Sequence, residues 1–372
     1  MPDPRAMPAS VDDASVPAPR PAAWPPSPAP AIARWVGDAA LGLTFRVVQA
    51  RTRDPFTAGG PGEPLPRVYY TADDGWRAPL FHVRAAPGTA GEPVLLAHGV
   101  GGTHRDFSLE RGRCLAATLA TAGYSVYLLE HRGDRSALPP EGARPFSLDD
   151  VATHDLGAAL DAVRVHSGFD QVLCVGHGLG AQALYLRMAL AGTDGMAALV
   201  TMCGAVRFSA GVSAARNAGL VAALLPAGWV IPGRRLQQLA SPFVTTGEQI
   251  ASPDTPGPVA RARLRYAAGD LHGGVIRQMA RWVASGHLTD ASGRLDVTSA
   301  LRPFPALVFA GDDDPACPPA AAWPAAEALA APLVALTGGW GHLDPLLGAR
   351  APAEVHARVL PFLDQHRRRC WG

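Results

Sequence analysis

The chain is 372 residues long, carries 33 basic and 32 acidic side chains for a formal net charge of +1, and is 48% apolar. That length can bury a sizeable core, read here as one large domain with an insertion. The near-neutral balance supplies no strong electrostatic footprint for nucleic acid or a charged membrane.

Residues 1–30 alternate Pro, Ala and Ser with few large apolar groups, a composition that cannot offset its own ordering entropy, so a disordered tail is expected. It has no apolar h-region of a secretory signal. Ile32, Trp35, Val36, Ala39, Leu43 and Val47 then recur at helical spacing and predict an amphipathic helix docked on the core, before a loop from Asp54 to Pro66. Val68 to Thr71 and Leu80 to Arg84 flank the turn Ala72-Asp73-Asp74-Gly75, which predicts a β-hairpin and completes an N-terminal unit over 31–92.

From 93 to 206 strands and helices alternate. Strands are expected at Pro93 to Ala97, Tyr124 to Glu130, Gln171 to Val175 and Ala197 to Cys203, and helices at Leu109 to Ala122, Ser147 to His166 and Ala181 to Ala191. Parallel neighbours need a crossover connection and a helix supplies it, so the rhythm predicts an α/β fold with a mostly parallel sheet and helices on both faces. The rhythm breaks over 207–303, where Pro226, Pro232, Pro242, Pro253, Pro256 and Pro258 interrupt short helical pieces. This segment reads as a mainly helical cap inserted over the sheet's carboxyl edge. The pattern resumes over 304–372 with strands Ala306 to Ala310 and Pro332 to Thr337 and helices Ala320 to Ala330 and Pro352 to His366. No uninterrupted apolar run reaches the roughly 18 residues a membrane span needs. Membrane-surface contact is not predicted.

Three glycine-bearing turns follow strand ends and should meet at one sheet edge. The first, His98-Gly99-Val100-Gly101-Gly102, offers backbone N–H groups to a developing oxyanion, with Val100 N–H as one donor and Leu179 N–H as the second. The second, Gly311-Asp312-Asp313-Asp314-Pro315, provides a carboxylate able to orient a histidine. The third, Gly338-Gly339-Trp340-Gly341-His342, presents an imidazole, the natural proton shuttle near neutral pH.

Between the first and second of these in sequence comes Gly176-His177-Gly178-Leu179-Gly180, the strand, sharp turn and helix start of a nucleophile elbow with glycine in the nucleophile slot. Glycine cannot form an acyl-enzyme. Cys203, at a neighbouring strand end, and Cys317, three residues after the aspartate turn, are the side chains placed to approach His342 instead; Cys174 reads as core. The five cysteines, counting Cys114 and Cys370, have neither metal-ligand spacing nor a disulfide framework, so no metal is expected and a reducing cytoplasm fits best. No cofactor signature is present.

The order elbow, aspartate, histidine resembles that of the α/β-hydrolase superfamily from about Pro93 to Arg367. His98-Gly99-Val100 is similar to its oxyanion loop, Arg132-Gly133-Asp134-Arg135-Ser136 to its R-G-x-x-S loop, Asp314 to its acid and His342 to its base. Ser147 to Leu156 and Gly341-His342-Leu343-Asp344 resemble the lipase and polyester-synthase-like branches. The resemblance implies a lipase or esterase ancestry and a small apolar acyl or ester ligand under the cap. With Gly178 at the nucleophile position, three readings stay open: a ligand-binding protein with little or no covalent hydrolase activity, an enzyme whose His342 and Asp314 activate water or abstract a proton, and a noncatalytic interaction module. Oligomeric state is not legible.

Overall fold

The computed structural model describes residues 65–367 except Val100, Arg111 and Gly211. The expected tail, the Ile32 to Val47 helix, the proposed Val100 donor and Cys370 lie outside the described residues.

The sheet has eight strands: β1 Arg67–Thr71, β2 Arg77–Val83, β3 Glu92–Ala97, β4 Tyr124–Leu129, β5 Val172–His177, β6 Met196–Met202, β9 Ala306–Gly311 and β10 Leu333–Leu336. Their order is β1-β2-β4-β3-β5-β6-β9-β10. β1 and β2 form the expected hairpin and β2 joins β4 antiparallel, while all pairs from β4 to β10 are parallel. The chain runs from β3 outward to β4 and then returns to β5 on β3's other side. The loops after β3 and β5 therefore leave the sheet side by side, at a topological switch point where ligands bind in such sheets.

Side chains alternate between the two faces as the pleat requires. Leu95, Cys174 and Leu199 face a core with Leu156, Leu160, Val163 and Leu184 from helices Leu156–Ser167 and Leu179–Ala191. Val94, Leu96, Leu173, Val175 and Val200 face the opposite core, with Leu115 and Leu119 of helix Leu115–Thr121 and Val359 and Leu363 of Ala357–Gln365. Helices thus cover both faces.

Two helices differ from expectation for identifiable reasons. The stretch expected to be helical from Leu109 begins only at Leu115, because Gly112 sits at φ +79° and breaks the run. The helix after Ser147 starts with a reciprocal capping box between Ser147 and Asp150, as its sequence suggests, but Val151–Asp155 is a π-helical turn. There the buried Asp155 carboxylate takes Arg132 Nε and Nη2 and the Arg132 backbone N–H.

Between β6 and β9 the chain makes helices Val212–Leu224, Gly233–Ala240, Gly257–Tyr266, Gly273–Ser285 and Val297–Ala300. A two-stranded ribbon joins β7 Val230–Ile231 to β8 Leu271–His272. Among the described residues no helix is long and apolar enough to cross a membrane.

Candidate active site

The elbow is built by local geometry. β5 ends at His177, helix Leu179–Ala191 begins one residue later, and Gly178 makes the turn at φ +52°, ψ −117°. An L-residue there carries backbone strain of about 1–3 kcal/mol, which glycine avoids. Gly180 serves a different need: a Cβ on it would lie 2.1 Å from the Ala97 carbonyl oxygen, so glycine lets the helix start press against the end of β3. Leu179 is the first helical residue, and its N–H has no intrahelical acceptor.

His342 is brought to this turn from the loop after β10. A Cβ built on Gly178 would stand 3.0 Å from His342 Nε2. The other ring nitrogen, Nδ1, donates to Asp314 Oδ2 at 2.8 Å. Asp314 follows β9, is fully buried, and its second oxygen accepts the N–H groups of Ala316 and Cys317 at 2.8 and 3.0 Å. Burial works against the imidazolium, but the charge and hydrogen bond of Asp314 outweigh it and raise the His342 pKa above its ordinary value. Burial likewise opposes the Asp314 carboxylate, and His342 with the surrounding donors holds its pKa below the usual range.

His177 fixes the histidine loop from behind. Its Nε2 donates to the His342 carbonyl at 2.8 Å, and the His342 backbone N–H donates to the Ala251 carbonyl at 2.9 Å. Since a carbonyl only accepts, His177 carries its proton on Nε2. Burial first, and then the neighbouring His342, push its pKa down to about 3.

The loop after β3 is anchored at both ends. His98 Nδ1 faces the Gly99 carbonyl at 3.0 Å and its Nε2 faces Asp134 Oδ2 at 3.1 Å. Both partners accept, so the ring is an imidazolium. Burial opposes this charge, but Asp134 and Glu130 raise its pKa to about 9. At the far end the Gly101 carbonyl accepts Gln237 Nε2 at 3.1 Å, Arg263 Nη2 at 3.2 Å and Gly269 N–H at 2.9 Å. Buried Arg263 also pairs with Asp106 at 3.1 Å. Nothing in the sequence marks Gln237, Arg263 or Asp106: one arginine among Arg261, Arg263 and Arg265 carries no periodic signal that singles it out.

The family profile described as alpha/beta hydrolase fold matches residues 92–349. The chain belongs to that family. No curated protein matches it. Among solved structures, a thermophilic esterase from Thermogutta terrifontis is 19% identical with a TM-score of 0.52, covering 82% of this chain and 100% of that one. A hydrolase from Pseudomonas aeruginosa PA01 is 22% identical with a TM-score of 0.52 (80% and 98% covered). The esterase RhEst1 from Rhodococcus sp. ECU1013 is 18% identical with a TM-score of 0.52 (81% and 99% covered). These similarities are of fold.

Within this α/β-hydrolase, the residues expected to converge do so: Gly178, Asp314 and His342 form one constellation, with Leu179 at its edge. The alternative thiols fare differently. Cys203 is buried and takes the uncommon φ of +55°, and Cys317 is buried in the same cluster. Burial first, then the Asp314 charge, push both thiols well above their ordinary pKa, which keeps them protonated and weakly nucleophilic.

Two clusters among the described residues have donor atoms within 4.8 Å of one another, His177 with Cys203 and His342, and His98 with Glu130 and Asp134. Both nitrogens of His98 are committed to protein partners, whereas in the first cluster His177 and His342 each use one ring nitrogen and leave the other, His177 Nδ1 and His342 Nε2, without a hydrogen bond among the described residues.

Proposed function

We propose that this α/β-hydrolase binds a small ester or acyl ligand at the Gly178–His342 site and does not form an acyl-enzyme. The observation that carries the reading is the imidazole placed 3.0 Å from the position of a Cβ that Gly178 does not have, with Asp314 behind it. A base, its orienting carboxylate and an elbow are assembled around a residue with no atom to deprotonate.

The segment from 207 to 303 acts as the cap. Gln237, Arg263 and Gly269 hold the loop after β3, and Ala251 and Ser252 hold the histidine loop through the backbone N–H groups of His342 and Leu343. Leu271 lies 3.4 Å from the Cβ position of Gly101, giving the ligand an apolar neighbour above the oxyanion loop.

The test is a panel of chromogenic acyl esters of graded chain length, run with wild type, Gly178→Ser and His342→Ala. The expected result is wild-type turnover near background, binding of the preferred ester without an acylated protein in the mass spectrum, and ester hydrolysis in Gly178→Ser. Rapid wild-type turnover with a covalent acyl adduct would overturn it.

A second reading rests on the free Nε2 of His342, which can take a proton from water held over Gly178. It predicts slow wild-type hydrolysis that disappears in His342→Ala. Sites that lose a triad member typically keep about 10³- to 10⁴-fold catalysis over water from binding and the oxyanion hole, so such a rate would survive His342→Ala if His342 played no part.

A further inference from the structure

A groove of about 540 Å³ lies away from His342, between helices Val212–Leu224 and Gly273–Ser285. One wall is apolar and small, with Gly219, Ala222 and Ala223 facing Ala284. The other carries Arg277 and Arg281, one helical turn apart, and Thr289. Neither arginine is within ion-pair distance of a carboxylate among the described residues. Arg277 spends Nε on the Ala222 carbonyl at 3.0 Å, and Arg281 spends Nη1 on the Ala291 carbonyl. Their remaining N–H groups have no protein acceptor among the described residues.

The nearby carboxylates are already committed. Asp149 takes Gln278 and the Ala291 N–H, and Asp290 takes Ser292 and the N–H groups of Arg294 and Leu295. Asp150, on the smaller cavity that Arg277 and Arg281 also line, takes the Ser147 N–H and hydroxyl. A further observation is independent of the charges: Thr289 is 7% exposed, and its buried hydroxyl has no hydrogen-bond partner. A buried hydroxyl without a partner costs free energy, and Thr289 lines this groove beside two guanidinium groups that pair with no carboxylate among the described residues.

We propose that this groove is a second ligand site, distinct from the Gly178–His342 site, which binds an alkyl carboxylate: the carboxylate between Arg277, Arg281 and Thr289, the chain along Ala222, Ala223 and Ala284. The apolar wall argues for a chain-bearing anion over a bare one. Exposed Leu220, Val221 and Leu224 on the helix that forms this wall extend the apolar surface beyond the groove.

Isothermal titration of the full chain with sodium octanoate tests the proposal, with 1-octanol and inorganic phosphate as comparison probes. Octanoate should still bind in the groove of His342→Ala, the background for the groove variants, whether or not it also enters the Gly178–His342 site of wild type. It should bind at least tenfold more weakly to Arg277→Gln/Arg281→Gln and several-fold more weakly to the near-isosteric Thr289→Val, whose thermal midpoint shows that the fold is kept. Phosphate and octanol should each bind more weakly than octanoate. The proposal is overturned by no octanoate binding, by equal binding to Thr289→Val, by loss of all octanoate binding in His342→Ala, or by phosphate or octanol binding as tightly as octanoate.

Discussion

At Gly178 the backbone and the imidazole set opposing conditions on any replacement. Serine would supply the nucleophile, but its Cβ would meet His342 Nε2 at 3.0 Å and take a φ of +52°, so the ring must give by a few tenths of an ångström. Gly178→Ser should therefore cost about 1–3 kcal/mol of stability while raising ester turnover on the order of 10²-fold or more, short of the roughly 10⁶ that a complete, relaxed triad contributes. Denaturant midpoints and initial rates measure the two effects separately. The protonation state of His342 gives a second prediction. As a base it works only when neutral, and Asp314 raises its pKa, so any His342-dependent rate should rise with pH through a midpoint above the ordinary histidine value. Asp314→Asn removes the raising charge; the midpoint should move to lower pH and the maximal rate should fall, and a midpoint that stays put would show that Asp314 is not what sets it. These residues were legible in the sequence because each sits in a glycine-bearing turn directly after a strand. Arg263 and Gln237 were not: their roles arise where an irregular insertion folds back on a loop far away in sequence.

For the elements, close approach explains most of what the pattern could and could not say. Strand alternation gave all eight strands of the main sheet, because apolar runs bounded by turn residues survive in every context. The π-helical turn at Val151–Asp155 had no such signal; it accompanies the buried hydrogen bonds between Asp155 and Arg132, a pairing 23 residues apart. Arg132→Met should cost about 3–5 kcal/mol, since it strands the Asp155 carboxylate in the core. Urea unfolding checks this, and a loss under 1 kcal/mol would mean the carboxylate finds another partner. Gly180→Ala tests the packing of elbow on strand. With its Cβ at 2.1 Å from the Ala97 oxygen, the helix start must back away from β3, which predicts a loss of roughly 1–3 kcal/mol or more from overpacking.

The whole molecule should be most stable near pH 6.5. His177 and His356 are 1% exposed, with pKa values lowered to about 3 and about 4 chiefly by burial. Below pH 6.5 the unfolded chain protonates them and the native one does not, so stability falls as pH falls, by about 1–2 kcal/mol per histidine at pH 5. On the alkaline side His98 works in reverse: its pKa of about 9 makes the folded chain the better proton binder between 6.5 and 9, so its contribution is complete below 6.5 and is lost as pH rises. Denaturant midpoints at pH 5, 6.5 and 8.5 should trace that dome, and His356→Leu should flatten its acid limb alone.

The three donors on the Gly101 carbonyl also order events in time. Gln237 lies 136 residues beyond it, and Gly269 and then His342 come later still. Chains are made from the N-terminus at about 5–20 residues per second, so the β3 loop is held loosely for many seconds after its own strand has emerged. A nascent chain ending before β9 would present an elbow with no base facing it. Competence arrives last, when distant stretches of the chain close on a loop made long before them.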